Sequence, residues 1–328
     1  MKYGCYISGV NQVSCQIPLS EEWLLNPVLI DNKYSRAIEP DIKQMISPIE
    51  ARRMSKILKR ALATALTTLK ETNVNSPDAI IMGTGKGCLE NSEKFLTDLS
   101  EYGENGLKPS LFMQSTHNTI SSLIAINLKC HAYNNTYSHL GVSFESALMD
   151  AWIQISHGRI NTALVGAHDE VTPLMSTIIR ENNPEVGCIS ESSVTALLSN
   201  QGTEGQCKVA EVRIFHKPNM EEMTESLNEK DQILLLGLNG NVQNDCQYHN
   251  LLEKLNFSPA VLKYKNIFGE NFSSSAIAFY VAVTLLKHQR IPEFMIVKNK
   301  PILEKSIKRI TVLNHSENTD WGLIRIER

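Results

Sequence analysis

The chain has 328 residues, 42% of them hydrophobic and 20% charged, which is the balance of a globular protein with a large core and room for two layered halves. Its 32 Lys and Arg stand against 35 Asp and Glu, so it lacks the basic excess of a nucleic-acid binder. No stretch reaches the roughly 20 consecutive apolar residues of a membrane-spanning helix.

The chain begins with one Lys and then alternates, without the apolar run of a secretory signal. Tyr3 to Ser8 is expected to be a first strand, and a cytoplasmic location follows. A helix is signalled from Ser47: Ser47 caps, Pro48 takes the first helical position and Glu50 completes a capping box. Met54, Ile57, Leu58, Ala61, Leu62, Ala65, Leu66 and Leu69 then form one apolar helix face. Asp78 to Met82 reads as a strand. The glycine turn Gly83-Thr-Gly85-Lys86-Gly87 follows, then a helix through Glu93, Phe95 and Leu96. Residues 103–110 are turn-rich. Phe112 to Cys130 is expected to start extended and become helical. Asn134 to His139 is a strand, Gly141 a sharp turn, and Phe144 to Ile155 a helix closed by Gly158. Strands are expected at Thr162 to Gly166, Ser193 to Ser199, Val209 to Phe215, Gln232 to Leu236, Ile310 to Leu313 and Gly322 to Ile326. Tyr248 to Leu255 and Phe272 to His288 read as helices, the second stopped by Pro292. Alternating helices and strands make the class α/β with layered sheets.

Several groups could carry chemistry. The glycine turn sits between a strand and a helix, where a phosphate can be held. It matches neither GxxxxGK[ST] nor GxGxxG, which favours a plain tight turn. Gly141-Val-Ser143-Phe144-Glu145 has the context of a nucleophile elbow, with His139 and His168 near in sequence. It is not GxSxG, and a structural Ser143 is favoured. His117 lies among the polar residues Gln114 to Asn118, where Ser115 or Thr116 capping the next helix is the simpler reading. Seven cysteines with no CxxC pair, and nine His without HxH or HxxxH spacing, predict neither a disulfide framework nor a metal site. No cofactor is expected.

The order of these pieces resembles the β-ketoacyl synthases along nearly the whole chain. Thr136 to Ala147, followed by Ile155 to Glu170, is similar to their TACxS segment, helix and G-D-A-D-x-x-L-x-G-G-x-E strand. Ser47 to Met54 resembles an early helix of the family, Ile81 to Gly87 its first glycine turn, and Asn118 with Ser121 to Ile126 its N-x-x-A-x-x-I-A-I segment. Lys265-Asn-Ile-Phe-Gly-Glu270 resembles K-S-x-x-G-H, and Leu286 to Pro292 the segment beyond. The resemblance implies a thiolase-like fold of two related halves in a layered αβαβα arrangement, divided at 1–204 and 205–328.

The departures are as informative. Counting back from Gly158 without a gap puts Gly141 at the family's nucleophilic Cys. In Leu236 to Asp245, which resembles A-H-G-T-x-T-P-x-G-D, the first His becomes Gly237. The second becomes Glu270, while Lys265 is retained. The late G-F-G-G turn becomes Ser316-Glu-Asn-Thr319. A decarboxylating condensation needs a thiolate to hold the acyl chain and donors for the enolate, so no catalytic residues are expected. The pattern looks like a chain-length factor, most like those of aryl polyene and flexirubin-type pathways, paired with a catalytic ketosynthase that elongates carrier-protein-bound chains. Family resemblance then implies that Ser110 through His139 lies at a dimer interface, with a tunnel for the growing acyl chain. Its candidate tunnel and interface residues are Phe112, Met113, Gln114, Thr116, His117, Asn118, Tyr137, His139, Ser143 and Phe144. The rival readings are a serine acyltransferase or hydrolase using Ser143, and a homodimeric lipid-binding scaffold.

Overall fold

The computed structural model describes residues 2–30, 33–299, 306–316 and 319–328. Eleven strands form its main sheet: β1 (Tyr6–Val13), β2 (Ala79–Gly83), β3 (Tyr133–Tyr137), β4 (Thr162–Asp169), β5 (Ser192–Ser199), β6 (Lys208–His216), β7 (Ile233–Leu236), β8 (Ala260–Lys263), β9 (Ile296–Lys298), β10 (Arg309–Ser316) and β11 (Asp320–Glu327). Their order across the sheet is β9-β8-β7-β10-β11-β6-β1-β5-β4-β2-β3.

That order contains the same unit twice. In the first half β3, β2 and β4 run parallel, and β5 and β1 follow antiparallel. In the second half β8, β7 and β10 run parallel, and β11 and β6 follow antiparallel. The halves meet where Tyr6 of β1 pairs with Lys208 of β6. Strand β9 is an addition outside β8.

The helices complete five layers. They are α1 (Lys56–Thr72), α2 (Leu89–Tyr102), α3 (Pro109–Ser115), α4 (Thr119–Leu128), α5 (Ser143–Ser156), α6 (Pro173–Asn182), α7 (Met220–Glu225), α8 (Val242–Lys254) and α9 (Ser274–His288). Ile57, Leu58 and Leu62 of α1 and Ile124 of α4 cover one face of the first half, against Ile80, Leu164 and Leu197. Met223 of α7 and Tyr248 and Leu251 of α8 cover the outer face of the second, against Leu234, Leu236 and Leu313. Helices α5 and α9 lie between the halves. Phe144, Leu148 and Ala151 of α5 and Ala276, Phe279 and Val281 of α9 share one core with strands from both. Helix α9 is apolar all round because it has sheet on both sides; every residue from Ser274 to Leu286 is buried. Among the described residues no helix is long and apolar enough to cross a membrane.

The structure departs from several expectations. The first strand begins at Tyr6 rather than Tyr3. The Ser47 capping box is present but opens only a single turn, Pro48–Ala51; α1 starts afresh after Ser55. Phe112 is helical, not extended: Pro109 starts α3, with Pro at a tolerated first-turn position. Helices α6 and α7 and strand β8 had no clear signal, because α6 and α7 bury one residue each and β8 is four residues long.

Candidate functional site

After β3 the chain turns through Leu140–Val142 and enters α5. Leu140 adopts φ 48°, a left-handed conformation that is costly for a leucine. This is the strained turn an elbow requires. The turn is held by Ser143, which is fully buried. Its Oγ accepts from the His139 amide (2.9 Å) and donates to the carbonyls of Leu140 (2.7 Å) and Thr84 (3.1 Å). No imidazole reaches it. His139 Nδ1 lies 3.0 Å from Ser146 Oγ. His168 is buried with Nε2 3.4 Å from Met82 Sδ, and burial pulls its pKa down to about 3. Ser143 therefore has a structural role, and the serine nucleophile reading has no base.

Across the interlayer, β7 is followed by Gly237, whose amide donates to the Leu313 carbonyl (3.0 Å). Lys265 opens a one-turn helix ended by Gly269 at φ 73°. Glu270 follows. Its amide donates to the Cys188 carbonyl (2.7 Å), and its carbonyl accepts from the Ser190 amide (2.9 Å). Residues of the first half thus fix Glu270.

These pieces converge. Lys265 Nζ donates to Glu270 Oε2 (2.7 Å) and to Asn314 Oδ1 (3.2 Å). Asn239 Nδ2 donates to the same Oε2 (2.9 Å), and Ser274 Oγ to Oε1 (3.2 Å). Asn314 Nδ2 reaches the Gly141 carbonyl (3.4 Å). Gly141, Lys265, Glu270 and Asn314 are therefore one connected set, with Gly237 against it. The Lys265 side chain is 4% exposed and that of Glu270 23%, so the pair is desolvated on the lysine side and its charges cancel locally. A cavity of 490 Å³ opens beside it, lined by Asn239, Lys265, Glu270, Cys188 and Leu238 among others.

The space at Gly237 is taken up by the ends of neighbouring side chains, which would have to shift to admit another one. A Cβ there would lie 2.4 Å from Asn314 Oδ1, 2.7 Å from the Tyr248 hydroxyl and 3.2 Å from Lys265 Nζ. Tyr248 is fixed in turn. Its hydroxyl accepts from the His315 amide (3.1 Å), and its ring packs against both His315 and Trp321, with centroids 4.6 and 5.2 Å away. Asn314, Tyr248, Asn239 and Ser274 were not singled out from the sequence. Asn314 sits past the apolar run Ile310 to Leu313, and its polarity so close to a core strand was the available signal. Of the late turn Ser316 to Thr319, Glu317 and Asn318 lie outside the described residues.

The glycine turn holds an internal anion. Gly85 and Lys86 donate their amides to the Asp169 carboxylate at 2.9–3.0 Å. Thr84 and Ser273 add their hydroxyls. The carboxylate occupies the place a phosphate would take. Gly83 is needed for close approach, since a Cβ would lie 2.6 Å from the Ser143 carbonyl.

The tunnel and interface candidates divide by exposure. Phe112, Met113, Thr116, His117, Asn118 and His139 are exposed. Gln114 is half-buried and donates to the Arg53 carbonyl (2.9 Å). Tyr137 is half-buried and donates to Asp150 (3.1 Å). Phe144 is core, with its ring tilted against that of Phe279 at a centroid distance of 5.4 Å. Neither Ser115 nor Thr116 caps α4. Ser115 Oγ turns back to the Phe112 carbonyl (2.8 Å), and Asn118 stands at the cap without a side-chain bond. Among the described residues no group of His, Cys, Asp or Glu could hold a metal ion. Burial raises the Cys5, Cys15 and Cys88 thiols to about 12, far from thiolates.

The family description of the N-terminal domain of β-ketoacyl synthases matches residues 22–252. No curated protein matches the chain in sequence. Solved structures match its whole length. The ishigamide ketosynthase/chain length factor has a TM-score of 0.82 at 13% identity, covering 100% of this chain and 99% of that one. The AntDE:AntF complex, a type II PKS acyl-carrier protein with its ketosynthase bound to the hexaketide, gives 0.80 at 14%, covering 100% and 99%. The ketosynthase ApeO in complex with its chain length factor ApeC, from Xenorhabdus doucetiae, gives 0.76 at 14%, covering 99% and 98%. At these identities the likeness is one of fold.

Proposed function

The chain belongs to the β-ketoacyl synthase family, and from that premise we propose that it is a non-catalytic member: a chain-length factor that pairs with an active ketosynthase and limits the acyl chain built on a carrier protein. The observation that carries this reading is the occupied space at Gly237. Decarboxylative condensation needs two imidazoles to hold the malonyl carboxylate and the enolate. Asn314, Tyr248 and Lys265 fill the space where one would stand. The other position carries Glu270, already bound by Lys265, Asn239 and Ser274. A carboxylate there repels both the substrate carboxylate and the enolate.

The two edges of the sheet support a partner. One edge is β9, three residues ending in Lys298, the kind of short, charged edge that discourages pairing. The other is β3, Tyr-Asn-Asn-Thr-Tyr, with no Lys or Pro to protect its free side. A second ketosynthase-like subunit adding its own strand there would satisfy it. The interface would then include the exposed Phe112 and Met113, and their bulk would bound the partner's tunnel by steric overlap. An aryl polyene or related polyene product and a cytoplasmic setting belong to the same reading.

The test is reconstitution. Purified alone, the chain should not extend acyl groups on a loaded carrier protein. Co-expressed with a catalytic ketosynthase that is its partner, it should co-purify and support extension. Elongation by the single chain would overturn the proposal, as would a ketosynthase that makes the same products without it.

A further inference from the structure

We propose that Phe95 is a positioning residue for chain length: it sets where Phe112 stands, and so where the growing acyl chain stops. This rests on the reading of Phe112 as part of the tunnel wall.

Helix α2 buries only Leu89 and Asn91, both in its first turn, and α3 buries nothing. Neither helix is held along its length by a core. Leu96 and Tyr102 of α2 are 61% and 64% exposed, and Phe112 and Met113 of α3 are 59% and 71% exposed. Ties of two kinds fix α3. One is polar: Gln114 accepts from Asn91 Nδ2 (3.2 Å) and donates to the Arg53 carbonyl (2.9 Å), and Thr119 Oγ1 donates to the Met113 carbonyl (3.1 Å). This holds the backbone of α3 but leaves the Phe112 ring free to change rotamer. The other tie is apolar: the half-buried Phe95 ring packs on that of Phe112, with centroids 5.4 Å apart and planes at 45°, a tilted geometry that orients both rings. A wall residue stops an acyl chain only if it cannot turn aside. On an exposed helix with no core beneath it, the ring behind it supplies that resistance.

The experiment uses the complex of this chain with its ketosynthase and a loaded carrier protein, and reads the distribution of product lengths by mass. F95A should shift the products upward by about one two-carbon unit or broaden the distribution, as F112A should, because the ring can then yield. F95L, which keeps an apolar support, should stay near the wild-type distribution. The co-purification ratio and the rate of the first condensation should be unchanged in F95A and F95L, which separates positioning from loss of structure. Wild-type lengths from F95A with a shift in F112A would overturn the inference and leave the tunnel reading standing. Wild-type lengths from both would overturn both. A fall in every product with no change in their proportions would mark Phe95 as merely structural.

Discussion

Asn314 Oδ1 lies 2.4 Å from the point where a side chain on Gly237 would begin. That is too close for two unbonded atoms, so the Asn314 amide must shift before residue 237 can carry a side chain. Substituting G237H should therefore not restore an active site. It should destabilise the chain by about 1–3 kcal/mol through overpacking, and G237A should already show part of that loss. Thermal or urea unfolding of the two variants checks this. Pairing either with N314A should recover stability, because the nearest clash is removed. A G237H variant as stable as the parent would mean that the Tyr248 and Asn314 side chains move aside at no cost.

The Lys265–Glu270 pair makes a second prediction. Removing one partner of a desolvated pair leaves the other uncompensated, whereas removing both can be nearly neutral. E270Q leaves the buried ammonium facing amide oxygens only. K265M leaves a carboxylate that is partly exposed and still bonded by Asn239 and Ser274. The expected loss is about 1–3 kcal/mol for E270Q and less for K265M. The double variant should lose less than the sum of the two. A double-mutant cycle by denaturant unfolding measures the coupling, and strict additivity would show that the pair is electrostatically idle.

The contrast between scaffold and site explains what the sequence made legible. The strands and helices that build the layers follow from apolar periodicity, as in α1, or from an unbroken apolar run, as in α9, because burial selects side chains one by one. Gly141, Gly237 and Glu270 were visible as departures from the family's pattern. What surrounds Gly237 was not, since Asn314 and Tyr248 lie 77 and 11 positions from it in the chain and meet it only through the parallel pairing of β7 with β10 and the packing of α8. The fate of the glycine turn was hidden for the same reason. Asp169 ends a strand that no local rule joins to Gly85.

Glu145 gives a pH-dependent prediction. It is fully buried on α5 with one hydrogen bond, from Ser275 Oγ (2.8 Å), and its Oε1 has no partner. Burial pushes its pKa up to about 7. An acid whose pKa is higher folded than unfolded is most favourable to folding at low pH, below the unfolded value of about 4.5. That contribution is lost as pH rises through about 7. E145Q does not titrate. Its stability relative to the parent should therefore improve between pH 5 and pH 8, by up to about 3 kcal/mol, whatever constant cost the amide carries. Glu170, raised to about 7 by burial, stays in both proteins and cancels from the comparison. Parallel stability curves from pH 5 to 8 would mean that Glu145 is ionised in the folded chain.

The free side of β3 yields the last prediction. An edge strand accepts a partner strand when nothing charged or bulged blocks it. Asn135 sits mid-strand, with its amide on the Tyr133 hydroxyl (3.1 Å), in a half-buried position that the core does not use. Replacing it by lysine puts a charge into the proposed junction while removing that bond and the one Asn135 Oδ1 accepts from the neighbouring Thr136 amide (2.9 Å). The isolated chain should keep its stability to within about 0.5 kcal/mol, as surface changes usually do. Its affinity for the ketosynthase should fall tenfold or more, since a charge buried at a strand junction without a counterion costs over about 1.4 kcal/mol. Calorimetry or analytical ultracentrifugation of the two-chain mixture reads the difference. Unchanged affinity, with the heterodimer intact, would put the partner on another face of the molecule.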